Sequence, residues 1–440
     1  MDREDYERAI NGLVENYYYD YLNDKEFIPG TTHVTVTQKC FNELEMQAIV
    51  SSALDFNLTS GRFVEQFEKK LSTYVGTRYA LATNSGSSAN LLAILAASEE
   101  GMDEWRDYES SWAPEVITMA AGFPTTIAPI YQAGMVPHFV DITLPTYGVN
   151  IDQIEAAIND NTAGMIIAHT LGNPFEADRI AKLCQAYDLW LVEDCCDALG
   201  AKYKEKMVGT YGICATSSFY PAHHITTGEG GAVFTDDPSM KLAIESYRDW
   251  GRDCWCETGH DATCGKRYSQ QFGRLPYGYD HKYVYTRLGY NLKMTEMQAA
   301  IGVEQMSKLS WFVDKRERNF SRLYSGISRY EEFFILPESL PDAEPSWFGF
   351  PITIRDGAPF TRAQLIDYLD KSRIDSRLLF AGNMTKQPAL LRREWYAESL
   401  LVSDKIMNDT LWIGVHPSLT VEMIDYVLDT FNYFIKEFGA

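Results

Sequence analysis

The feature that most constrains this chain is an alternation. Five short apolar runs, "YALATN", "EVITMAA", "PHFVDI", "AGMIIAHT" and "WLVEDCC", lie between Tyr79 and Cys196. Between them stand "SGSSANLLAILAA", "TTIAPIYQAG", "NIDQIEAAI" and "EADRIAKLCQAY", whose apolar residues recur at helical spacing. Strands joined through helices pair in parallel, so this order implies an α/β fold with a large, mostly parallel sheet covered by helices on both faces. Ligands of such sheets sit at the carboxyl ends of the strands. Upstream, an N-terminal helix is followed by "FNELEMQAIVSSAL" and "RFVEQFEKKLSTYV", two more helical stretches bounded by turns such as "LTSG". Downstream, the long helical stretch that opens with "TEMQAAIGVEQM" leads to a second unit. There "SWFGFPITI", "DSRLLF" and "LWIGV" are strand-like, while "TRAQLIDYLDKS" and "TVEMIDYVLDTFNYFIKEF" are helical. We expect a large cofactor-binding domain over residues 1–310 and a small C-terminal α+β domain over 311–440, for which 45% hydrophobic residues supply ample core.

A formal charge of −22 argues against a nucleic acid or an anionic membrane as partner, since either selects a basic surface. Phosphorylated small molecules remain open, because backbone amides and helix N-termini bind phosphate without net positive charge. The acidic N-terminal stretch "MDREDYERAINGLVENYYYDYL" lacks the apolar core of a signal peptide, and no run of about eighteen apolar residues occurs, so a cytoplasmic location is expected.

Three motifs carry chemistry. "TNSGSSANLLAILA", Thr83 to Ala96, reads as a strand, then glycine and small hydroxyl residues, then a helix. Free amides at that helix start, at Gly86, together with Ser87 and Ser88, could hold a phosphate; an ordinary serine-capped helix fits the same letters. "LWLVEDCCDALGA", Leu189 to Ala201, is an apolar strand ending in acids, where Asp194 could pair with a protonated pyridine nitrogen, or serve as a helix cap or buried ion-pair partner. "SSFYPAHHITTGEGGAVFTDD", Ser217 to Asp237, reads as a strand, a glycine turn and a return strand. Ser218 precedes His223 by five residues and could reach the same phosphate. Adjacent His223 and His224 point opposite ways in an extended chain, so they make a poor metal pair: one works while the other packs.

Gly251 to Leu288 differs in kind. It carries three cysteines and a run of tyrosines without sustained period, and loops this long in compact domains are usually functional. The chain has eight cysteines, five of them in two clusters, and grouped thiols in a cytoplasmic protein suggest metal before disulfide. The spacing Cys254-x-Cys256-x7-Cys264, with 57 residues between Cys196 and Cys254, lacks the paired Cys-x2-Cys knuckles of zinc sites. Four irregularly spaced thiolates suit a [2Fe-2S] cluster, with zinc as the alternative. In extended chain Cys196 shares a face with Asp194 while Cys195 points away, which favours Cys196 as fourth ligand over Cys195. His260 could replace a thiolate, as imidazole does in Rieske centres.

In this order the three motifs resemble the sugar aminotransferase branch of the fold-type I pyridoxal phosphate enzymes, from about Phe41 to the C-terminus. In that family the glycine turn binds phosphate, the "ED" aspartate meets the pyridine nitrogen, and a lysine before "xITTGEGG" forms a Schiff base with the cofactor. Here His223 occupies the lysine position. The resemblance implies that Asn291, in "LGYNLKMTEMQAAIG", reaches a phosphate across a homodimer. It also implies that Phe123, in "AAGFPTTIAPI", stacks on the pyridine ring, with core packing the alternative. Arg377, in "DSRLLFAGNMTKQP", is placed by the resemblance at a nucleotide diphosphate, with a plain surface arginine the alternative. Taken with "GRDCWC", "CGKR" and "YGYDHKY", the lysine-less motif is similar to the family of CDP-4-keto-6-deoxy-D-glucose 3-dehydrases. That similarity implies noncovalently held pyridoxamine 5′-phosphate (PMP) and a [2Fe-2S] cluster on Cys196, Cys254, Cys256 and Cys264. It implies electrons from an NADH-dependent flavin and iron–sulfur reductase or a ferredoxin-type donor, and His223 as the base in C3 dehydration of a nucleotide-linked 4-keto-6-deoxy sugar. The products would be 3,6-dideoxyhexoses for surface polysaccharides such as lipopolysaccharide O-antigen. Competing readings are a dehydrase for a dTDP- or GDP-linked sugar, a sugar aminotransferase using another lysine, and a noncatalytic scaffold or redox sensor.

Overall fold

The computed structural model describes residues 2–23, 26–106, 113–256 and 262–439, so the candidate His260 lies outside the described residues. Each of the five apolar runs forms a strand: β1 (Tyr79–Thr83), β2 (Glu115–Met119), β3 (Val136–Val140), β4 (Thr162–Ala168) and β5 (Trp190–Asp194). The helices between them are α4 (Gly86–Arg106), α5 (Pro124–Gln132), α6 (Ile151–Ala157) and α7 (Ala177–Tyr187), after α1 (Arg3–Tyr21), α2 (Glu43–Asp55) and α3 (Arg62–Val75). The glycine-turn motif supplies β8 (Cys214–Ser218) and β9 (Gly231–Thr235), followed by α8 (Pro238–Arg248). Eight strands run in the order β1-β9-β8-β5-β4-β2-β3-β14, where β14 is Tyr396–Ala397. Only β9 is antiparallel to its neighbours; the other pairs are parallel, and the expectation of a mostly parallel sheet holds. Val116, Ile117, Phe139, Met165, Ile166 and Val192 have no exposed surface, as strands covered on both faces require.

The second unit is built on a long helix, α9 (Glu296–Ile327), and an antiparallel sheet in the order β10-β12-β15-β13. Its strands are β10 (Phe334–Ile335), β12 (Gly349–Ile354), β13 (Arg377–Leu378) and β15 (Thr410–Gly414), packed with α10 (Arg362–Lys371), α11 (Leu401–Asp409) and α12 (Val421–Phe438). A third, small sheet joins β6 (Lys202–Tyr203) and β7 (Lys206–Met207) to β11 (Ala343–Glu344). The two main units are interlocked. β14, from the C-terminal quarter, adds to the edge of the large sheet with Tyr396 opposite His138. The Asp141 carboxylate, just past β3, accepts from the amides of Val402 and Ser403 at 2.7 Å each. Leu379, Ile406 and Trp412 pack into the core of the large unit.

One contact between distant segments fixes the entry to the sheet. α3 starts at Gly61, which offers no capping side chain, so its first amides need another acceptor. The buried carboxylate of Glu296, on the first turn of α9, accepts from Gly61 at 2.8 Å and from Phe63 and Val64 at 2.9 Å each. Losing one acceptor from a buried donor costs about 1–3 kcal/mol. Glu296→Ala should therefore destabilise the protein by about 3 kcal/mol or more, and Glu296→Gln by less, since an amide oxygen can still accept. Denaturant unfolding checks this, and an unchanged midpoint for the alanine variant would show that these amides find other partners.

Candidate active site

β5 and β8 lie side by side, and their carboxyl ends bring the motifs together. Asp194 ends β5 and is buried. Its Oδ2 accepts from Asn90 Nδ2 of α4 at 2.9 Å and from Thr126 Oγ1 of α5 at 2.8 Å, while Oδ1 accepts from the Cys196 amide at 3.1 Å. Asn90 is fixed in turn by Thr216 Oγ1 of β8, which donates to its Oδ1 at 2.5 Å. A carboxylate held by donors from three segments keeps a fixed direction. It can face the protonated nitrogen of a heteroaromatic ring.

The turn before α4 packs against β8. A Cβ on Gly86 would stand 2.4 Å from the Cβ of Ser218, so glycine is required for this approach. Likewise a Cβ on Gly231 of β9 would meet the Ser85 carbonyl at 2.5 Å. Ser85 Oγ accepts from the Ser88 amide at 3.1 Å, and the first turn of α4 begins at Gly86 beside Ser218. Gly86 and Ser218 thus stand in contact, with Ser87 and Ser88 on the same first turn of α4, and together they form a cradle of small residues. Phe123 caps α5 and is 52% exposed, in edge-to-face contact with Phe380, so the core-packing alternative fails for it.

His223 sits in the turn after β8. Its amide donates to the Tyr220 carbonyl at 2.9 Å, and its ring stacks on Phe348 of the second unit with centroids 5.2 Å apart. Burial, reinforced by the nearby Arg316 guanidinium, pushes the imidazole down to about 4 against the opposing pull of Asp194. Arg316, itself fully buried on α9, donates to the backbone carbonyls of His223, Trp347 and Phe348. His224 turns the other way, with Nε2 2.8 Å from the Ser346 carbonyl oxygen. Asp197 was missed at the sequence level: its Oδ1 stands 3.5 Å from His223 Nδ1, and burial followed by the Asp194 charge pushes its carboxyl up to about 8. Its only signal was the third acid in "EDCCD".

Arg377 is exposed on β13, its guanidinium donating to the Ser376 carbonyl at 2.9 Å. Asn291 is exposed as well, its backbone bridged to Asp249. Two residues on, the backbone of Lys293 bridges to Thr83 at the end of β1, but its ammonium points to the Trp250 ring at 3.7 Å and Asp249 at 3.3 Å.

The cysteine loop forms a second centre. Its stem is tied by Trp250 to Tyr290 and Asp253 to Val284 backbone bonds. The Sγ atoms of Cys254, Cys256 and Cys264 lie within 4.8 Å of one another. Burial works against ionisation of Cys256, but hydrogen bonds from Thr263, the Cys264 amide and the neighbouring thiols outweigh it and bring that thiol to about 6. His281 lies with Nδ1 3.5 Å from Cys264 Sγ and Nε2 2.6 Å from Asp253 Oδ2. Among the described residues no fourth cysteine sulfur lies within 4.8 Å of all three. Cys196 stays beside Asp194 at the end of β5, and Cys195 is buried against His169 and Glu193. The reason is topological: the loop borders a cleft of 1060 Å³ with Arg78 and Tyr79 of β1, and β9 and β8 separate β1 from β5.

The architecture is that of the fold-type I pyridoxal phosphate-dependent transferases. Residues 39–432 match the DegT/DnrJ/EryC1/StrS aminotransferase family, and the chain is an enzyme belonging to it. It is 48% identical to the lipopolysaccharide biosynthesis protein RfbH of Salmonella typhimurium, over 99% of each chain. It is 46% identical to the dTDP-4-dehydro-2,6-dideoxy-D-glucose 3-dehydratase of Saccharopolyspora spinosa, over 95% of this chain and 90% of that one. The solved structure of E. coli GDP-4-keto-6-deoxy-D-mannose-3-dehydratase with bound hydrated PLP superposes with a TM-score of 0.79 at 27% identity, covering 91% of this chain and 99% of that chain.

The cradle gives a direct test. Gly86→Ala should weaken uptake of pyridoxal 5′-phosphate at least tenfold by forcing α4 away from Ser218, whereas Ser218→Ala, which leaves the approach intact, should cost less. Titration followed by absorbance measures both, and equal losses would remove the close approach as the cause.

Proposed function

We propose that the chain removes the C3 hydroxyl of a nucleotide-linked 4-keto-6-deoxyhexose with pyridoxamine 5′-phosphate as a noncovalent cofactor. The observation that carries this reading is His223, a buried neutral imidazole, standing where the family places its lysine. When bound, the cofactor supplies an amine for the C4 ketone and an electron sink that acidifies its own C4′ hydrogens. Asp194 faces its ring nitrogen, Phe123 its ring, and Gly86, Ser87, Ser88 and Ser218 its phosphate, with Asn291 reaching a phosphate from a second copy in a homodimer. Arg377 meets the nucleotide diphosphate. An imidazole at about 4 is unprotonated at neutral pH and able to take a proton from C4′. Once protonated it is a strong acid in this pocket and returns the proton to the departing C3 hydroxyl, which leaves as water.

Reduction of the dehydrated sugar takes two electrons. We assign Cys254, Cys256 and Cys264 to a [2Fe-2S] cluster that passes them singly, fed by an NADH-dependent flavin and iron–sulfur reductase or a ferredoxin-type donor. The three sulfurs have the convergence such a cluster needs. Cys196 completes the set in this reading only if the loop rearranges or the second copy brings it in. The substrate we favour is CDP-4-keto-6-deoxy-D-glucose, in the cytoplasm, on the way to 3,6-dideoxyhexoses of lipopolysaccharide O-antigen. A dTDP-linked substrate is the second reading, supported by the relative from S. spinosa. The aminotransferase alternative is disfavoured by Lys293, whose ammonium is engaged away from the cradle.

His223→Asn should abolish exchange of the C4′ hydrogens of bound pyridoxamine phosphate with solvent deuterium, while cofactor content stays at the wild-type level. Persisting exchange would remove His223 as the base. Because burial holds the imidazole below its ordinary 6.5, exchange in the wild type should persist as pH falls past 6.5 and be lost only as it drops through about 4; an acid limb near 6.5 would contradict the assignment. Cys256→Ser should lose the iron and its paramagnetic signal after dithionite yet keep exchange. Full iron in Cys196→Ser would exclude Cys196 as a ligand, and turnover of CDP-, dTDP- and GDP-linked sugars side by side identifies the nucleotide.

A further inference from the structure

We propose that Asp197 is a positioning residue for His223, accepting its Nδ1–H and so leaving Nε2 bare to take the proton. This rests on the reading of His223 as the base. Nδ1 of His223 is buried without a hydrogen-bond partner, although the side chain keeps 16% of its surface open, so the open edge belongs to the rest of the ring. Among the described residues the acidic oxygen facing Nδ1 is Asp197 Oδ1 at 3.5 Å, and the ring also has the Cys196 backbone carbonyl as a neighbour. Catalytic hydrogen bonds in ligand-free sites run long and tighten when the site fills. Both partners are held in place. The imidazole stacks on Phe348 and its backbone carbonyl accepts from Arg316, while the Asp197 carboxylate accepts the Leu171 amide.

The charges around the pair set its proton inventory. Asp194 at the end of β5, Arg316 on α9, and His224 and Cys196 on the flanking turns are the titratable groups that act on it. Burial and Arg316 keep the imidazole neutral. A neutral imidazole carries one N–H. On Nδ1, bonded to Asp197, it leaves the Nε2 lone pair free. On Nε2 it would block the base. The proton then moves from C4′ to Nε2 and from Nε2 to the departing C3 oxygen, and Asp197 neither gains nor loses one.

The test uses the holoenzyme and compares Asp197→Asn with Asp197→Ala. An asparagine can turn its NH2 toward Nδ1 and impose the wrong tautomer, whereas alanine imposes neither. Solvent exchange at C4′ should slow by about 10³-fold or more in Asp197→Asn, with cofactor content unchanged, and by less in Asp197→Ala. A purely structural role predicts the reverse order or equal losses, and either result, or an asparagine variant within threefold of wild type, overturns the proposal. Nitrogen-15 shifts of the imidazoles in the wild type, with His223 identified by its loss in His223→Asn, read the tautomer without any Asp197 variant. Protonated Nδ1 supports the proposal and protonated Nε2 overturns it. If the wild-type enzyme shows no C4′ exchange at all, the reading of His223 as base falls, and the tautomer still decides the Asp197–His223 pairing.

Discussion

The anchoring of Asp194 is the interaction on which the rest of the site depends. A carboxylate buried at the end of a strand is costly unless its lone pairs are filled. Here the donors come from α4, α5 and the turn after β5, and Thr216 of β8 locks the α4 donor. The same contacts therefore set the positions of the cradle at the start of α4, of Phe123 at the start of α5 and of β8, from which the His223 turn emerges. One side chain thus aligns the start of α4, the start of α5 and the end of β8 with one another. A change at Asn90 or Thr126, neither of which faces the cradle, acts on the whole site through this carboxylate.

How much of this was legible follows from period and length. The five apolar runs and the helices between them became strands and helices because buried parallel strands need continuous apolar residues, and that pattern survives in a single sequence. Gly86, Ser218, Asp194 and His223 could be placed because each lies at the end of a strand or within a few residues of one. β14 was not: two residues have no period, and Tyr396–Ala397 pairs with β3 only because Asp141 pins the start of α11 beside it. α8 and α11 were missed, as was Asp197, which reads as one more acid after a strand until the turn folds it toward His223. Arg316 gave no signal either, since its position on α9 becomes meaningful only when the second unit closes over the histidine turn.

In the cysteine loop, spacing accounts for the meeting of three thiols and leaves a fourth open. Cys254, Cys256 and Cys264 come together because they share one loop tied at its stem, a local matter. Cys196 is separated from them by the width of β8 and β9 in the sheet, a matter of topology that spacing does not encode. Asp253 and His281 complete the loop's polar interior: the imidazole, stacked on Phe272 and bonded to Asp253, lies against the Cys264 sulfur. At metal sites, contacts of this kind orient sulfur ligands and tune the potential of the metal.

Arg316 explains why a histidine suits the position better than its charge alone suggests. Its guanidinium is buried without a carboxylate in bonding distance among the described residues, and its donors go to three backbone carbonyls, one of them that of His223. A free lysine ammonium on that turn would stand near this fixed positive charge in a water-poor pocket, where like charges repel strongly. A neutral imidazole meets no such repulsion, and it is the form the pocket enforces. A protonated imidazole there would carry the charge that Arg316 opposes, which adds to burial in holding the ring's affinity for a proton down. The same buried arginine that bonds the backbone of both units thus helps to hold that imidazole neutral.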